Sequence, residues 1–175
     1  MLKPIPVVLS PYDPKWPARA EALSKKLSAL GPYLLKTHHI GSTSVPGLVA
    51  KPIIDMMAVV TDLQTLDQNR SQVEGLGFKW HGEFGIAGRR FCTLATEEGA
   101  RVSHLHFFQK DSLHVGANLL FRDYLRTHPA AARAYEREKR RAQYLQPNDT
   151  VAYSKEKAAW IEQTLTKALL WHTSL

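Results

Sequence analysis

The fold is decided by residues 39–55, which read HIGSTSVPGLVAKPIID. A glycine followed by small hydroxyl residues at the end of a strand lets backbone N–H groups approach a phosphate closely. The acid that closes the stretch, Asp55, stands inside residues 52–60, an almost continuous apolar run typical of a central strand buried on both faces. A carboxylate in that place can hold a divalent cation that neutralises the same phosphate. The alternative is that residues 41–47 form only a turn, which Asp55 supports with a hydrogen bond.

Hydrophobic spacing predicts the elements on either side of this stretch. Apolar residues recur every three or four positions over residues 16–30, which predicts a helix that a Gly-Pro pair ends. Residues 34–40 predict the strand that enters the stretch, and a helix capped at residue 61 or 62 follows it. The other apolar runs predict short strands at residues 7–9, 78–80, 89–96 and 101–108. Beyond residue 113 the chain reads as two or three helices.

This order predicts one α/β (α+β) domain over residues 1–175, with a mixed central sheet covered by helices and a helical C-terminal segment. A composition of 44% hydrophobic and 22% charged residues is ordinary for a globular protein.

No stretch approaches the roughly 20 apolar residues that cross a bilayer, and two prolines interrupt the first six residues. The single cysteine, Cys92, reads as a buried strand residue. We expect a soluble cytoplasmic protein, of unknown oligomeric state, that makes no membrane contact.

The formal net charge of +7 favours anionic ligands such as phosphates. Part of the excess lies in residues 133–141, where Glu136 and Glu138 alternate with basic side chains. This pattern is typical of a solvated helix face, and we prefer that interpretation to a nucleic-acid site, because only Tyr135 and Tyr144 supply aromatic rings there.

Two histidines form a second candidate cluster. His104 and His106 are two residues apart on a predicted strand, so their rings face the same side. With Asp55 from a neighbouring strand they predict a set of two imidazoles and one carboxylate, which suits a transition metal. The alternative is that the histidines hydrogen-bond to a carboxylate or to backbone in a polar pocket. His39, at the end of the strand before Gly41, can belong to the same cluster.

Further residues are candidates for the ligand itself. Gly41, Ser42 and Thr43 are predicted to bind a phosphate, and Lys51 and Arg90 to bind an anionic substrate. Glu83 is a candidate for an additional acid. The interpretation that competes with each is a solvated loop or a surface ion pair.

The sequence resembles the GrpB family. Residues 39–55 look like its signature, and so do residues 12–16 and 119–125; His104-Leu105-His106, Tyr135 and Lys139 also fit. The resemblance extends over nearly the whole chain. It implies a nucleotidyltransferase fold, in a family whose members occur alone or fused to dephospho-coenzyme A kinase and whose own reaction is not settled.

The resemblance also implies a catalytic pattern, which this chain matches only in part. Nucleotidyltransferases have a glycine-serine pair, an acid-x-acid pair on the next strand and a third acid on a later strand. Gly41, Ser42 and Asp55 match, whereas Met57 stands where the second acid belongs and the later strand offers histidines. The resemblance therefore implies a nucleotide or other phosphorylated ligand, with Asp55 as the catalytic acid and Mg²⁺ or Mn²⁺ as the cation. The alternatives are a non-catalytic binding module and a metal-dependent enzyme using Asp55, His104 and His106.

Overall fold

The computed structural model describes residues 4–174, which form a mixed five-stranded sheet and seven α-helices. The strands are β1 (Leu34–Ile40), β2 (Ile54–Val60), β3 (Lys79–Trp80), β4 (Arg90–Ala95) and β5 (Arg101–Gln109). The helices are α1 (Trp16–Leu27), α2 (Leu63–Gln68), α3 (Arg70–Gly75), α4 (Leu113–Thr127), α5 (Pro129–Leu145), α6 (Thr150–Glu156) and α7 (Ala158–Thr173). The predicted class, a mixed sheet with helices and a helical C-terminal segment, is confirmed.

The sheet has the strand order β1-β2-β5-β4-β3. Strands β2 and β5 pair in parallel, and the other pairs are antiparallel. Because β2 lies between β1 and β5, both of its edges are hydrogen-bonded, and six of its seven residues are buried. The register places Asp55 opposite Ile40 on one side and His104 on the other, while Phe91 of β4 stands opposite His106.

The two faces of the sheet have different partners. Alternate residues of β2, including Met56 and Ala58, join a large core with Trp16 and Leu27 of α1 and with side chains of α2 and α3. On the opposite face, Met57 packs with Ile40 and Phe108, against Val115 and Leu119 of α4. Asp55 lies on the second face, two residues before Met57, because side chains alternate along a strand. Cys92 is fully buried in the large core, as predicted.

Three predicted elements differ in detail. Residues 7–9 form no strand; the segment is instead tied down by Val7 N–H, which donates to Pro147 at 2.8 Å, and by one β-bridge between Ser10 and Ala50. The predicted helix after residue 62 breaks at Asn69 into α2 and α3, although Asp62 caps its start as expected, accepting from the Thr65 amide at 2.7 Å. The last predicted helix is α7, and the segment before it, predicted only as a break, forms the additional short helix α6, which meets α7 at Lys157.

None of the helices within residues 4–174 is long and apolar enough to cross a membrane.

Candidate functional site

The glycine-serine segment lies directly against Asp55. Gly41 adopts a φ of +69°, and a Cβ atom on residue 41 would lie 2.5 Å from Oδ2 of Asp55. The following residues form a short 3-10 turn (Ser42–Ser44), which the Ser44 hydroxyl closes by donating to the Gly41 carbonyl at 2.6 Å. Only a residue without a side chain fits this approach, so the sequence brings loop and acid together as predicted.

A chain of polar contacts links Asp55 to three other side chains. The Asp55 Oδ1 atom lies 3.0 Å from Nδ1 of His104 and 3.9 Å from Nε2 of His106. The other ring nitrogen of His106, Nδ1, lies 3.3 Å from Nη1 of Arg89. Of the two alternatives for the histidines, the structure shows direct hydrogen bonding of His104 to the carboxylate.

These contacts determine where the ring protons lie. A guanidinium only donates, so His106 accepts from Arg89 at Nδ1 and carries its proton on Nε2, the nitrogen that faces Asp55. An ionised carboxylate only accepts, so His104 donates to it from Nδ1, and Nε2 is the ring nitrogen that does not face Asp55. That Nε2 atom is buried and has no hydrogen-bond partner within residues 4–174.

The ionisation of these groups follows from their surroundings. Burial raises the pKa of the Asp55 carboxyl, but the hydrogen bond from His104 and the adjacent His106 ring outweigh this effect and hold the pKa well below its usual value. Burial lowers the pKa of His106, and it lowers the pKa of Arg89 to about 10. At neutral pH the site therefore contains a carboxylate, a neutral His106 and a charged Arg89.

The residues present do not fit a two-metal phosphoryl-transfer site. Such sites need several anionic ligands. On β2 the transferase pattern expects two acids, and only Asp55 is present. Met57, at the position of the second acid, is 0% exposed and surrounded by apolar side chains. Within residues 4–174 no group of three or more His, Cys, Asp and Glu side chains is arranged to hold a metal ion. The predicted metal set of Asp55, His104 and His106 is close in space, with His104 hydrogen-bonded to Asp55 at 3.0 Å and His106 3.9 Å from it.

A cavity of about 840 Å³ opens beside this cluster. The sheet side contributes Asp55, His104, His106 and the Gly41–Thr43 segment, and helices α5, α6 and α7 form the opposite side. The lining is strongly basic: against the two acids Asp55 and Glu162 stand six cationic residues, Lys51, Arg89, Arg101, Lys139, Lys155 and Lys157.

Three of these lysines are packed against two tyrosine rings. Lys157 lies 4.2 Å from the ring centre of Tyr153, and Lys51 lies 5.1 Å from it. Lys139 lies 5.1 Å from the ring centre of Tyr135 and donates to the Val49 carbonyl. Lys139 is 1% exposed and Lys157 is 9% exposed.

None of the three lysines forms an ion pair with a carboxylate of residues 4–174. Burial lowers the pKa of Lys139 to about 7 and those of Lys51 and Lys157 to about 8. The cavity wall thus holds three ammonium groups that are poorly solvated and, within the described part of the chain, lack a negative partner.

Helix α4 holds the glycine-serine segment in place from the outside. Arg126 donates from Nε and Nη2 to the Ser44 carbonyl at 2.9 and 2.8 Å. Arg122 donates to the His39 carbonyl at 3.2 Å and pairs with the adjacent Asp123 at 2.7 Å. The motif in residues 119–125 therefore braces this helix against the sheet.

Some predicted site residues lie elsewhere. Arg90 does not line the cavity; it is on the other face of β4, where it donates to both carboxylate oxygens of Asp67 at 2.7 and 2.6 Å. Glu83 does not line the cavity either; its carboxylate accepts from the Gly88 amide at 2.8 Å and closes its own loop. His39 bonds to the Thr43 hydroxyl at 2.8 Å and is not part of the Asp55 cluster.

Sequence reasoning missed Arg89 and Lys157 and misplaced Lys139. The charge pattern of residues 133–141 assigns Lys139 to a solvated basic face, whereas the structure buries it. The rest of that face is solvated as expected: Arg140 pairs with Glu136 at 2.8 Å and Arg141 with Glu138 at 2.6 Å. The signal for Lys139 was its helical spacing of four residues from the aromatic Tyr135, which puts both on one side of α5.

Comparison with known proteins supports the resemblance to the GrpB family. The sequence profile of the family described as GrpB protein matches residues 6–167. The chain is 35% identical over 161 residues to the UPF0157 protein YqkA of Bacillus subtilis. The alignment covers 91% of this chain and 46% of that protein. The chain therefore spans about half the length of this relative.

Two solved structures resemble the fold. The crystal structure of the conserved protein GrpB from Enterococcus faecalis matches with a TM-score of 0.85 at 34% identity, covering 94% of this chain and 99% of that one. The Cid1 poly(U) polymerase with Mg 3'-dATP bound matches with a TM-score of 0.54 at 13% identity, covering 79% and 45%. The second likeness concerns the fold alone, which is that of the nucleotidyltransferases. With a family profile matched over residues 6–167, the chain belongs to the GrpB family.

Proposed function

We propose that the protein binds a nucleotide, or another phosphorylated small molecule, in the cavity between the sheet and helices α5, α6 and α7. The observation that carries this proposal is the set of Lys51, Lys139 and Lys157, three cavity lysines that pack on tyrosine rings and pair with no carboxylate of residues 4–174. Removing an ammonium from water costs several kcal/mol unless an opposite charge replaces the lost solvation. A phosphorylated ligand supplies several negative charges at once.

The size of the cavity supports a small molecule as the ligand. Ligand pockets in proteins commonly measure about 300–1,000 Å³, and this cavity of about 840 Å³ falls in that range. The Gly41–Thr43 segment lies on its wall next to Asp55, so this loop is within reach of the same ligand.

The proposal is for binding and does not include Mg²⁺-dependent nucleotidyl transfer. That reaction needs further carboxylates beside Asp55, and the position of the second acid holds the buried Met57. In the proposed site, the lysines neutralise the phosphate charge that a metal ion neutralises in a transferase. Asp55 positions His104 and the loop at Gly41.

Calorimetric titration tests the proposal directly. We expect ATP, GTP, CTP or dephospho-coenzyme A to bind with a dissociation constant below about 1 mM, with and without Mg²⁺ or Mn²⁺. Absence of binding by all four ligands at millimolar concentration would refute it. An assay for pyrophosphate release, run on the same samples, is expected to show no turnover with either cation.

Matched lysine variants locate the site. Lys157→Gln removes one cavity cation and is expected to weaken binding at least about tenfold, since charge-assisted bonds to phosphate contribute roughly 1.5–3 kcal/mol. Lys167→Gln, on the exposed surface of α7, makes the same change of charge outside the cavity and is expected to leave affinity unaltered. Equal affinity losses in the two variants would indicate a general charge effect and no defined site.

A further inference from the structure

The loop between β3 and β4 places an aromatic ring on the cavity wall. Phe84 lines the cavity and is 37% exposed, which is unusual for a phenylalanine. Its φ is +47°, and it is the one non-glycine residue with positive φ within residues 4–174. A side chain in this conformation costs free energy and persists where the surroundings enforce it, often at ligand sites.

Arg89 enforces the conformation. This arginine is buried, and its Nη2 donates to the Phe84 carbonyl at 2.6 Å while its Nε donates to the Glu83 carbonyl at 3.1 Å. The Glu83 carboxylate accepts from the Gly88 amide at 2.8 Å and closes the loop from the other end. Three hydrogen bonds therefore hold residue 84 where its ring meets the cavity.

The ring of Phe84 packs on a second aromatic ring, that of Phe91. It stacks on Phe91 with a centroid distance of 5.2 Å and an interplanar angle of 22°. Phe91 in turn lies 5.0 Å beneath the Arg89 guanidinium and 5.4 Å from the His104 ring. Phe91 and Phe84 therefore extend from the Asp55 cluster to an exposed, flat, apolar surface on the cavity wall.

We propose that Phe84 is the stacking surface for a nucleobase, so that the ligand of the cavity is a nucleotide rather than a phosphorylated sugar or a simple phosphate. The inference rests on the proposed binding of a phosphorylated ligand and narrows its class. A planar aromatic ring pairs with a π-face of similar size, and every nucleobase offers one, whereas an aliphatic sugar phosphate does not. The lysines then bind the phosphates, and the ring binds the base.

Three probes separate the two ends of such a ligand: ATP carries base and phosphates, adenosine carries the base alone, and inorganic tripolyphosphate carries the phosphates alone. The guanine, cytosine and uracil counterparts are run in parallel, since stacking tolerates any base. The variant is Phe84→Gly, which removes the ring and at the same time relieves the positive φ, so that it is expected to fold. Phe84→Tyr keeps an aromatic face and is the matched control.

We expect Phe84→Gly to weaken ATP and adenosine binding about tenfold or more and to leave tripolyphosphate binding unchanged. Phe84→Tyr is expected to bind all three as the parent protein does. Lys157→Gln should show the opposite pattern, with loss for ATP and tripolyphosphate and none for adenosine.

Other results overturn one proposal or both. Unchanged nucleoside affinity in Phe84→Gly, or an equal loss for ATP and tripolyphosphate, refutes base stacking and leaves the phosphate site standing. Suppose instead that adenosine binding depends on Phe84, that tripolyphosphate does not bind, and that ATP binds no more tightly than adenosine. This result refutes the phosphate site and leaves the stacking surface. Failure of the parent protein to bind any of the three probes refutes both.

Discussion

Gly41 and Asp55 are in such close approach that a Cβ atom on residue 41 would overlap the carboxylate, at 2.5 Å from Oδ2 and 2.9 Å from the Asp55 Cβ. The contact joins the loop after β1 to β2, and it fixes the distance between the glycine-serine segment and the acid of the polar cluster on this face.

Gly41→Ala should therefore destabilise the protein more than an ordinary glycine substitution. Gly47 has a similar φ of +77°, but a Cβ atom added to it would meet nothing within 4 Å, so Gly47→Ala carries only the backbone cost of roughly 1 kcal/mol. We expect Gly41→Ala to cost about 2–4 kcal/mol, because backbone strain and displacement of Asp55 add together. Urea unfolding of the two variants measures the difference, and equal losses would contradict the close approach.

The proton positions on the two histidines can be observed directly. At pH 8, ¹⁵N spectra of the ring nitrogens should show His106 with its proton on Nε2 and His104 with its proton on Nδ1, since Arg89 donates to one ring and Asp55 accepts from the other. Arg89→Met is expected to change the His106 signals and to leave the tautomer of His104. Finding both rings in the same tautomer would show that the polar chain is arranged differently.

The lowered pKa of the buried Lys139 predicts an unusual dependence of stability on pH. The pKa of Lys139 is lowered to about 7 in the folded protein and is near 10.5 in the unfolded chain, so between pH 7 and 9 the unfolded state binds more protons. Stability of the ligand-free protein should then rise with pH in this window, by up to about 1.4 kcal/mol per pH unit from this residue. The slope should be smaller in Lys139→Met and unchanged in Lys167→Met, as followed by chemical denaturation at each pH. A slope that is the same in all three proteins would show that Lys139 is normally solvated.

Restoring the second acid of the transferase pattern should damage the fold without creating a metal site. Met57→Asp puts a carboxylate among the apolar side chains of Ile40, Phe108 and Leu119, and we expect a loss of about 3 kcal/mol or more. Met57→Leu keeps the volume and the apolar character and should cost less than about 1.5 kcal/mol. Unfolding with and without millimolar Mg²⁺ checks the prediction, since an ion that binds the folded state raises its stability. A stable Met57→Asp protein that Mg²⁺ stabilises further would contradict it.

Local chemistry in the sequence predicted which residues lie together in one half of the candidate site. The need for a side-chain-free residue at Gly41 and the isolated acid in the apolar run around Asp55 are properties of short segments, so they can be recognised without the fold. The two-residue spacing of His104 and His106 likewise placed both rings on one side of a strand that pairs with β2.

The other half depends on register and tertiary packing, which short segments do not reveal. Arg89 and Arg90 are adjacent, and the pairing of β4 with β5 decides that Arg90 stands opposite Phe107, on the face of the sheet where Asp67 of α2 binds it. Lys139 lies in a helix whose other charges are solvated, and in the fold its ammonium group meets the Val49 carbonyl of the β1–β2 connection. The spacing from Tyr135 indicates which side of α5 carries Lys139, but the sequence around residue 139 does not reveal this distant partner.

The three lysines that pack on the tyrosine rings come from widely separated parts of the chain: Lys51 precedes β2, Lys139 is in α5 and Lys157 joins α6 to α7. A molecule that engages all three would join the strands to the C-terminal helices. Occupancy should consequently slow amide hydrogen exchange in α6 and α7 as well as in the loop after β1. Neither the strands nor the helices, produced as separate fragments, would retain a complete pocket.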